Sequence, residues 1–240
     1  MNAEHRTSNI EHRTTRTGFS LMEVLLAVGI LAVGMLFIAG VFPVSIHMTT
    51  VSSERTIAAV VAEEAFAKIR LNGINFSGLS YANQALYVLA SEEYAYPSTP
   101  TSDPNSKKFW WSALCRRVDV NDVQVTIFVS RKAGANARFF SPDPNRPVAV
   151  QVDVAGGVGS YELTITGITG NKTYINDGST IVNNSTGQIH RVLQRYASPD
   201  NVIRLDSPWQ GTTTRVWAVP PPATGGRNPC IAVYQKVTRF

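Results

Sequence analysis

The sequence predicts an α+β fold, with one long N-terminal helix followed by an antiparallel, β-rich head. Three observations carry this. From Val24 to Val44 no residue is charged, a stretch that fits a membrane-spanning helix of about 20 residues. Residues 52–73, "SSERTIAAVVAEEAFAKIRLNG", then set apolar side chains at helical spacing. Beyond residue 120 the apolar period falls to two, the signature of half-buried strands.

The N-terminal segment is polar and carries Arg6, Arg13 and Arg16. The apolar run begins at Phe19, and one carboxylate, Glu23, stands near its start. A charge at the centre of such a helix is unfavourable by about 2.5–3.5 kcal/mol, less near an end. Either Glu23 reaches into the headgroups or it awaits a partner. The run is too long for a secretory signal, and no A-x-A cleavage site follows it. The small residue is Gly18, ahead of the run, so a cut there leaves the apolar segment on the mature chain. The arginines before the span place residues 1–18 in the cytoplasm, and everything after about residue 45 outside.

Gly18-Phe19-Ser20-Leu21-Met22-Glu23-Val24-Leu25-Leu26-Ala27 closely resembles the prepilin signal of type IV pilins and type II secretion pseudopilins. That signal is a Gly, usually a Phe next, and a Glu at the fifth mature position; all three match. The resemblance covers about the first fifth of the chain. It implies that a prepilin peptidase cuts between Gly18 and Phe19 and methylates Phe19. It also implies that Glu23 meets the N-terminal ammonium of a neighbouring subunit and sets the register between them. The chemistry agrees: the cut leaves an ammonium on Phe19, and residues 19 and 23, four apart, share one helix face. A carboxylate and an ammonium attract far more strongly in low dielectric than in water. The pair gains mainly against an unpaired buried charge, not against apolar residues. Many members carry a helix-bending proline near the outer end of the run, and Pro43 is the candidate here.

Next comes "TTVSS", Thr49–Ser53, five poor helix formers. With Gly40 and Pro43 just upstream, a bend or local melting is expected here. A helix unbroken over residues 19–71 would be about 80 Å long. In the amphipathic part, Ile57, Val61, Ala65 and Ile69 recur every four residues, flanked by Ala58, Ala62 and Phe66. Asn72-Gly73 is the stop signal. This face suits any core; the resemblance implies a sheet. The expected architecture is therefore a long N-terminal helix, its first half membrane-spanning, packed on an antiparallel β-sheet head. The segments are a cleaved leader (1–18), a transmembrane helix (19–45), an amphipathic helix (46–72) and a β-rich globular domain (73–240).

Residues 74–108 are ambiguous: "NQALYVLASEEYAY" is compatible with a short helix, and "PSTPTSDPNSKK" reads as a loop. Then Val123, Val125, Ile127 and Val129 alternate with Gln124, Thr126, Phe128 and Ser130. Val148–Val154 and Tyr161–Ile165 alternate likewise. Further strands are expected at 189–196, 201–205, 214–219 and 231–237. Turns fall at "SPDPN", "AGGVG" and "ASPDN", with a loop at "VPPPATGGRNP".

The chemistry-bearing residues are sparse. Cys115 and Cys230 are too far apart in sequence for CxxC redox chemistry, and two cysteines make a poor zinc site. Two readings stand: a disulfide, if the head lies in an oxidising compartment, or two buried free thiols. Of four histidines, His5 and His12 lie in the leader and His47 on the helix. His190 is left for the head, where it reads as an exposed strand residue; this starves a His-based triad or multi-His metal site. "GITGNKT" misses the phosphate-loop spacing. "NDGST" with Asn183 and Asn184 gathers oxygen ligands but lacks a dense acidic set for calcium. Trp110, Trp111, Trp209 and Trp217 suit core or sheet packing better than a ligand platform. The net charge is +5, mild and unclustered, which argues against nucleic acid.

No catalytic residue, metal ligand or cofactor is assigned. The expectation is a minor pilin or pseudopilin in a type IV pilus or type II secretion filament. Its expected partners are a prepilin peptidase, other pilin or pseudopilin subunits and the bacterial inner membrane. It would cross that membrane once, with the N-terminus cytoplasmic and the head periplasmic, before entering the pilus or pseudopilus. The alternative is a membrane-anchored periplasmic binding or adhesion protein that does not polymerise. Glu23 separates the two, because a simple anchor gains nothing from it.

Overall fold

The computed structural model describes residues 18–98, 107–134, 137–140, 142–167, 171–211, 214–226 and 228–240. The leader up to residue 17 and most of the "PSTPTSDPNSKK" loop lie outside them. Two compact units are present, Met1–Val51 and Ser52–Phe240.

Helix α1 runs over Leu21–Asn72, through Pro43. The expected melting at Thr49–Ser53 does not occur. The poor propensity of these residues is offset locally: Thr49 and Thr50 hydroxyls donate to the carbonyls of Ser45 and Ile46, both at 2.9 Å. Such back-bonding lets threonine sit inside a helix. The helix ends as its sequence predicts. Gly73 takes φ +73° and its N–H donates to the Ile69 carbonyl at 2.9 Å, a left-handed cap that an L side chain resists.

Within the Ser52–Phe240 unit, α1 buries Ala58, Val61, Ala62, Ala65 and Ile69. They pack against Trp111, Ala113, Cys115, Val123, Val125, Ile127 and Val129. The sheet beneath is antiparallel, ordered β1 (Ala85–Leu86), β3 (Phe109–Arg117), β4 (Asp122–Arg131), β11 (Cys230–Arg239), with β2 (Ala95–Tyr96) also on β3. Alanines on the inner helix face let the backbone approach the sheet closely. Two ion pairs flank the contact: Glu54 with Arg131 at 2.6 Å and Glu63 with Lys236 at 2.6 Å. The second is exposed and contributes little.

Between β4 and β11 the chain leaves the sheet and builds a closed six-stranded barrel. Its strands are β5 (Val150–Ala155), β6 (Glu162–Ile165), β7 (Thr180–Asn183), β8 (Ile189–Arg195), β9 (Val202–Leu205) and β10 (Arg215–Ala218). Around the barrel they run β10-β5-β6-β9-β8-β7, and β10 pairs with both β5 and β7. Closure removes free edges. Its interior holds Val152, Leu163, Ile175, Ile181, Ile203 and Trp209. The second face of the sheet, through Leu114 and Phe128, packs on Ala149, Val182, Trp217 and Val219. The sheet is thus covered by α1 on one side and by barrel residues on the other. The α+β class follows, with one long apolar N-terminal helix and antiparallel sheets.

Three expectations need correction. "NQALYVLASEEYAY" is not a helix: β1 and β2 flank a single 3-10 turn, Ser91–Tyr94. Edge pairing wins because the Tyr87 N–H finds the Ala113 carbonyl at 2.8 Å and the Tyr94 hydroxyl donates to the Tyr87 carbonyl at 2.8 Å. The disulfide does not form; both thiols are free. Cys115 is paired with Val125 and Cys230 with Ser130, five positions apart on β4. That offset alone is about 17 Å, far beyond the roughly 7 Å that a disulfide spans between Cα atoms. His190 is fully buried rather than exposed. Alternation along β8 turns His190 and Val192 inward and Ile189 and Arg191 outward.

Candidate processing and assembly site

The sequence-predicted site lies at the start of α1. Gly18, Phe19 and Ser20 precede the helix and are exposed, Phe19 at 82%. A Cβ placed on Gly18 would meet nothing within 4 Å. Among the described residues nothing therefore demands glycine there.

Ser20 caps the helix. Its hydroxyl accepts from the Glu23 N–H at 3.2 Å, and its carbonyl accepts from the N–H groups of Glu23 (3.0 Å) and Val24 (3.2 Å). Ser20-x-x-Glu23 has the residues of a capping box, a signal present in the sequence that the expected pairing with Phe19 obscured. The face shared by Phe19 and Glu23 is an expectation for the chain cut after Gly18. With residue 18 still attached, the helix opens at Leu21, and Phe19 sits before the cap. Glu23 falls in the first turn, where a carboxylate complements the positive end of the helix dipole. Among the described residues, no hydrogen bond or ion pair engages its carboxylate.

Downstream the helix is apolar on every side. Leu25, Leu26, Ile30, Leu31, Leu36, Phe37, Ile38 and Phe42 are all exposed. Among the described residues this is the one helix long and apolar enough to cross a membrane. A helix that is apolar all round needs an apolar surrounding, from lipid or from other helices.

Elsewhere the polar residues singled out by sequence hold the fold together. The Asn183 Oδ1 accepts from the N–H groups of Ser185 (2.9 Å) and Thr186 (3.1 Å). The Asn184 Oδ1 accepts from the Trp217 indole at 2.8 Å. These oxygens are committed to turn and core. Among the described residues, no three His, Cys, Asp or Glu side chains are grouped to hold a metal. Trp111, Trp209 and Trp217 are buried, so they pack the core. The "GITGNKT" turn lies partly outside the described residues. The His190 Nδ1 is 2.9 Å from the Ser207 hydroxyl, while Nε2 is buried with no partner among the described residues. Burial pushes the His190 pKa down, and Asp206 and Ser207 oppose this. Burial also pushes the Cys115 and Cys230 thiols up to about 12, which keeps them protonated and unreactive at neutral pH.

No protein-family model, no curated protein and no solved structure matches this chain.

Proposed function

We infer that this chain is a structural subunit of a type IV pilus or type II secretion filament, acting as a minor pilin or pseudopilin. The observation that carries the reading is the Gly18-Phe19…Glu23 junction directly ahead of a long helix that is apolar all round. Gly18 and Phe19 are exposed and outside secondary structure, as a peptidase substrate requires. The carboxylate of Glu23, without a partner among the described residues, is available to a neighbouring subunit's N-terminus. In this reading the prepilin peptidase removes residues 1–18 on the cytoplasmic side and methylates Phe19. The apolar half of α1 then passes from bilayer to filament core, with the head on the periplasmic side.

N-terminal sequencing and intact mass of the membrane-extracted protein test this. The expected mature chain starts at a methylated Phe19. A start beyond residue 40 would mean an ordinary cleaved signal and would end the pilin reading. Because the fold leaves space at Gly18, a bulky replacement there should stop the cut while leaving the head folded.

A further inference from the structure

The sheet of the head is open along one whole strand, β11. Its residues pair with β4 one for one from Ala232↔Val129 to Arg239↔Asp122. Just past the strand, the Phe240 N–H donates to the Asn121 carbonyl at 3.0 Å. Main-chain groups of an antiparallel pair turn inward and outward alternately. Tyr234, Lys236 and Thr238 therefore bond to β4, while Val233, Gln235, Val237 and Arg239 aim their N–H and C=O groups away from it. Among the described residues no hydrogen bond reaches those outward groups. By contrast, the other side of this sheet ends in two two-residue strands, β1 and β2, and the barrel is closed.

Natural edges are blunted by shortness, proline, bulges or protruding charge. β11 has ten residues and no proline, and its irregularity is confined to Cys230–Ala232. Lys236 is drawn back over α1: its Nζ donates to the Glu63 carboxylate at 2.6 Å and 2.8 Å and lies 4.8 Å from the centre of the Phe66 ring. Arg239, the other cation, stands at the strand's end opposite Asp122. Val237 points to the opposite face from Lys236 and is 60% exposed. A row of donors and acceptors repeating every two residues matches one chemistry, another extended main chain. The inference rests on the reading of this chain as a minor filament subunit, whose neighbours are other chains. We propose that the outer edge of β11 takes an extended segment of a neighbouring, different subunit by strand addition, with an apolar or β-branched side chain of that segment against Val237.

Amide hydrogen exchange, read residue by residue with electron-transfer mass spectrometry, tests this on the full chain extracted in detergent and on the same chain in filaments sheared from cells. In the extracted chain the N–H groups of Val233, Gln235, Val237 and Arg239 should exchange fast, and those of Lys236 and Thr238 slowly. In filaments the first four should slow by roughly tenfold or more, as added ladder bonds protect them. Val237→Pro removes one outward N–H and no bond to β4. It should enter filaments several-fold less than Val237→Thr, which keeps the N–H, while Lys236 and Thr238 stay slow in both extracted variants. Should the proline loosen those two residues, exchange in the unsubstituted chain decides. Fast exchange of the outward N–H groups in filaments that contain the chain would overturn this inference alone, as would equal entry of two well-folded variants. Slowing in the extracted chain as its concentration rises would give the edge to a second copy and overturn it too. Absence of the unsubstituted chain from sheared filaments and from cross-linked assemblies would overturn the filament reading and this inference with it.

Discussion

His190 shows how one residue's surroundings set its chemistry. It is buried 5.4 Å from the Trp209 ring, and Nδ1 has a partner in Ser207. The field at the ring combines burial, which disfavours the imidazolium, with Asp206, which favours it; burial is the larger. The folded pKa therefore lies below the ordinary value of 6.5. Below that pH the unfolded chain binds the extra proton more readily than the folded one. The stabilising contribution is full above about pH 6.5 and is lost as pH falls. Urea unfolding followed by tryptophan fluorescence should show a lower midpoint at pH 5 than at pH 7.5, and His190→Gln should flatten that difference. An unchanged difference in the variant would mean that other groups carry it. The cysteines make a second residue-scale prediction. Alkylation of the unfolded chain should give two modifications whether or not reductant was added first. In the native chain both thiols should resist labelling, because their pKa values near 12 leave little thiolate at pH 7.

At the scale of elements, the inner face of α1 is selected for size as much as for polarity. Ala65 is buried against the sheet, whereas Ala67, two residues on, is exposed. Ala65→Leu should destabilise the head by about 1–3 kcal/mol through overpacking, while Ala67→Leu should be near neutral; chemical denaturation in detergent measures both. The β7–β8 turn is as constrained. Gly187 takes φ +75°, and an added Cβ would stand 2.5 Å from the Gln124 Oε1 and 2.6 Å from the Gln84 Nε2. Gly187→Ala should cost about 1–3 kcal/mol from backbone strain, before the amides shift. Most of these elements were legible in the sequence. Alternation marks β4, β5 and β6, because apolar residues recur at period two there, and the sequence also points to strands at β8–β11. It missed β3, "FWWSALCRR", whose five central residues are all buried. A strand covered by a helix on one face and barrel residues on the other carries no polar stripe. It missed β7 because that strand too is apolar on both faces, with Ile181 in the barrel core and Val182 packed with Leu114 and Phe128 of the sheet. Barrel closure was illegible because it depends on β10 reaching both β5 and β7, pairings that no local pattern encodes. At the candidate site, Gly18, Phe19 and Glu23 were read directly. Ser20 is legible only through its spacing to Glu23, which is that of a cap.

For the whole molecule, the question is what a lone carboxylate does at the head of an apolar helix. In the uncut chain Glu23 sits three residues after the Ser20 cap, with no partner for its side chain among the described residues. Cutting after Gly18 would place an ammonium on Phe19, two residues before the present helix start. If the helix then extends to the new terminus, residues 19 and 23 share a face. A neighbouring subunit offering its own Phe19 ammonium would pair with Glu23 where the dielectric is low. On the proposed reading, insertion gains nothing from this carboxylate, whereas assembly does. Glu23→Val should therefore leave membrane insertion and processing intact or improved, while cross-linking to partner subunits falls by roughly tenfold or more, about 1.4 kcal/mol per factor of ten. Glu23→Gln keeps size and hydrogen bonding and removes only charge, so it should share the assembly defect. Membrane fractionation, intact mass and site-specific cross-linking in the same cells separate the steps. If both variants enter the filament at the normal level, helix packing alone holds the subunit and the charge pair has no role. If both remain uncut, Glu23 acts earlier, in recognition by the peptidase.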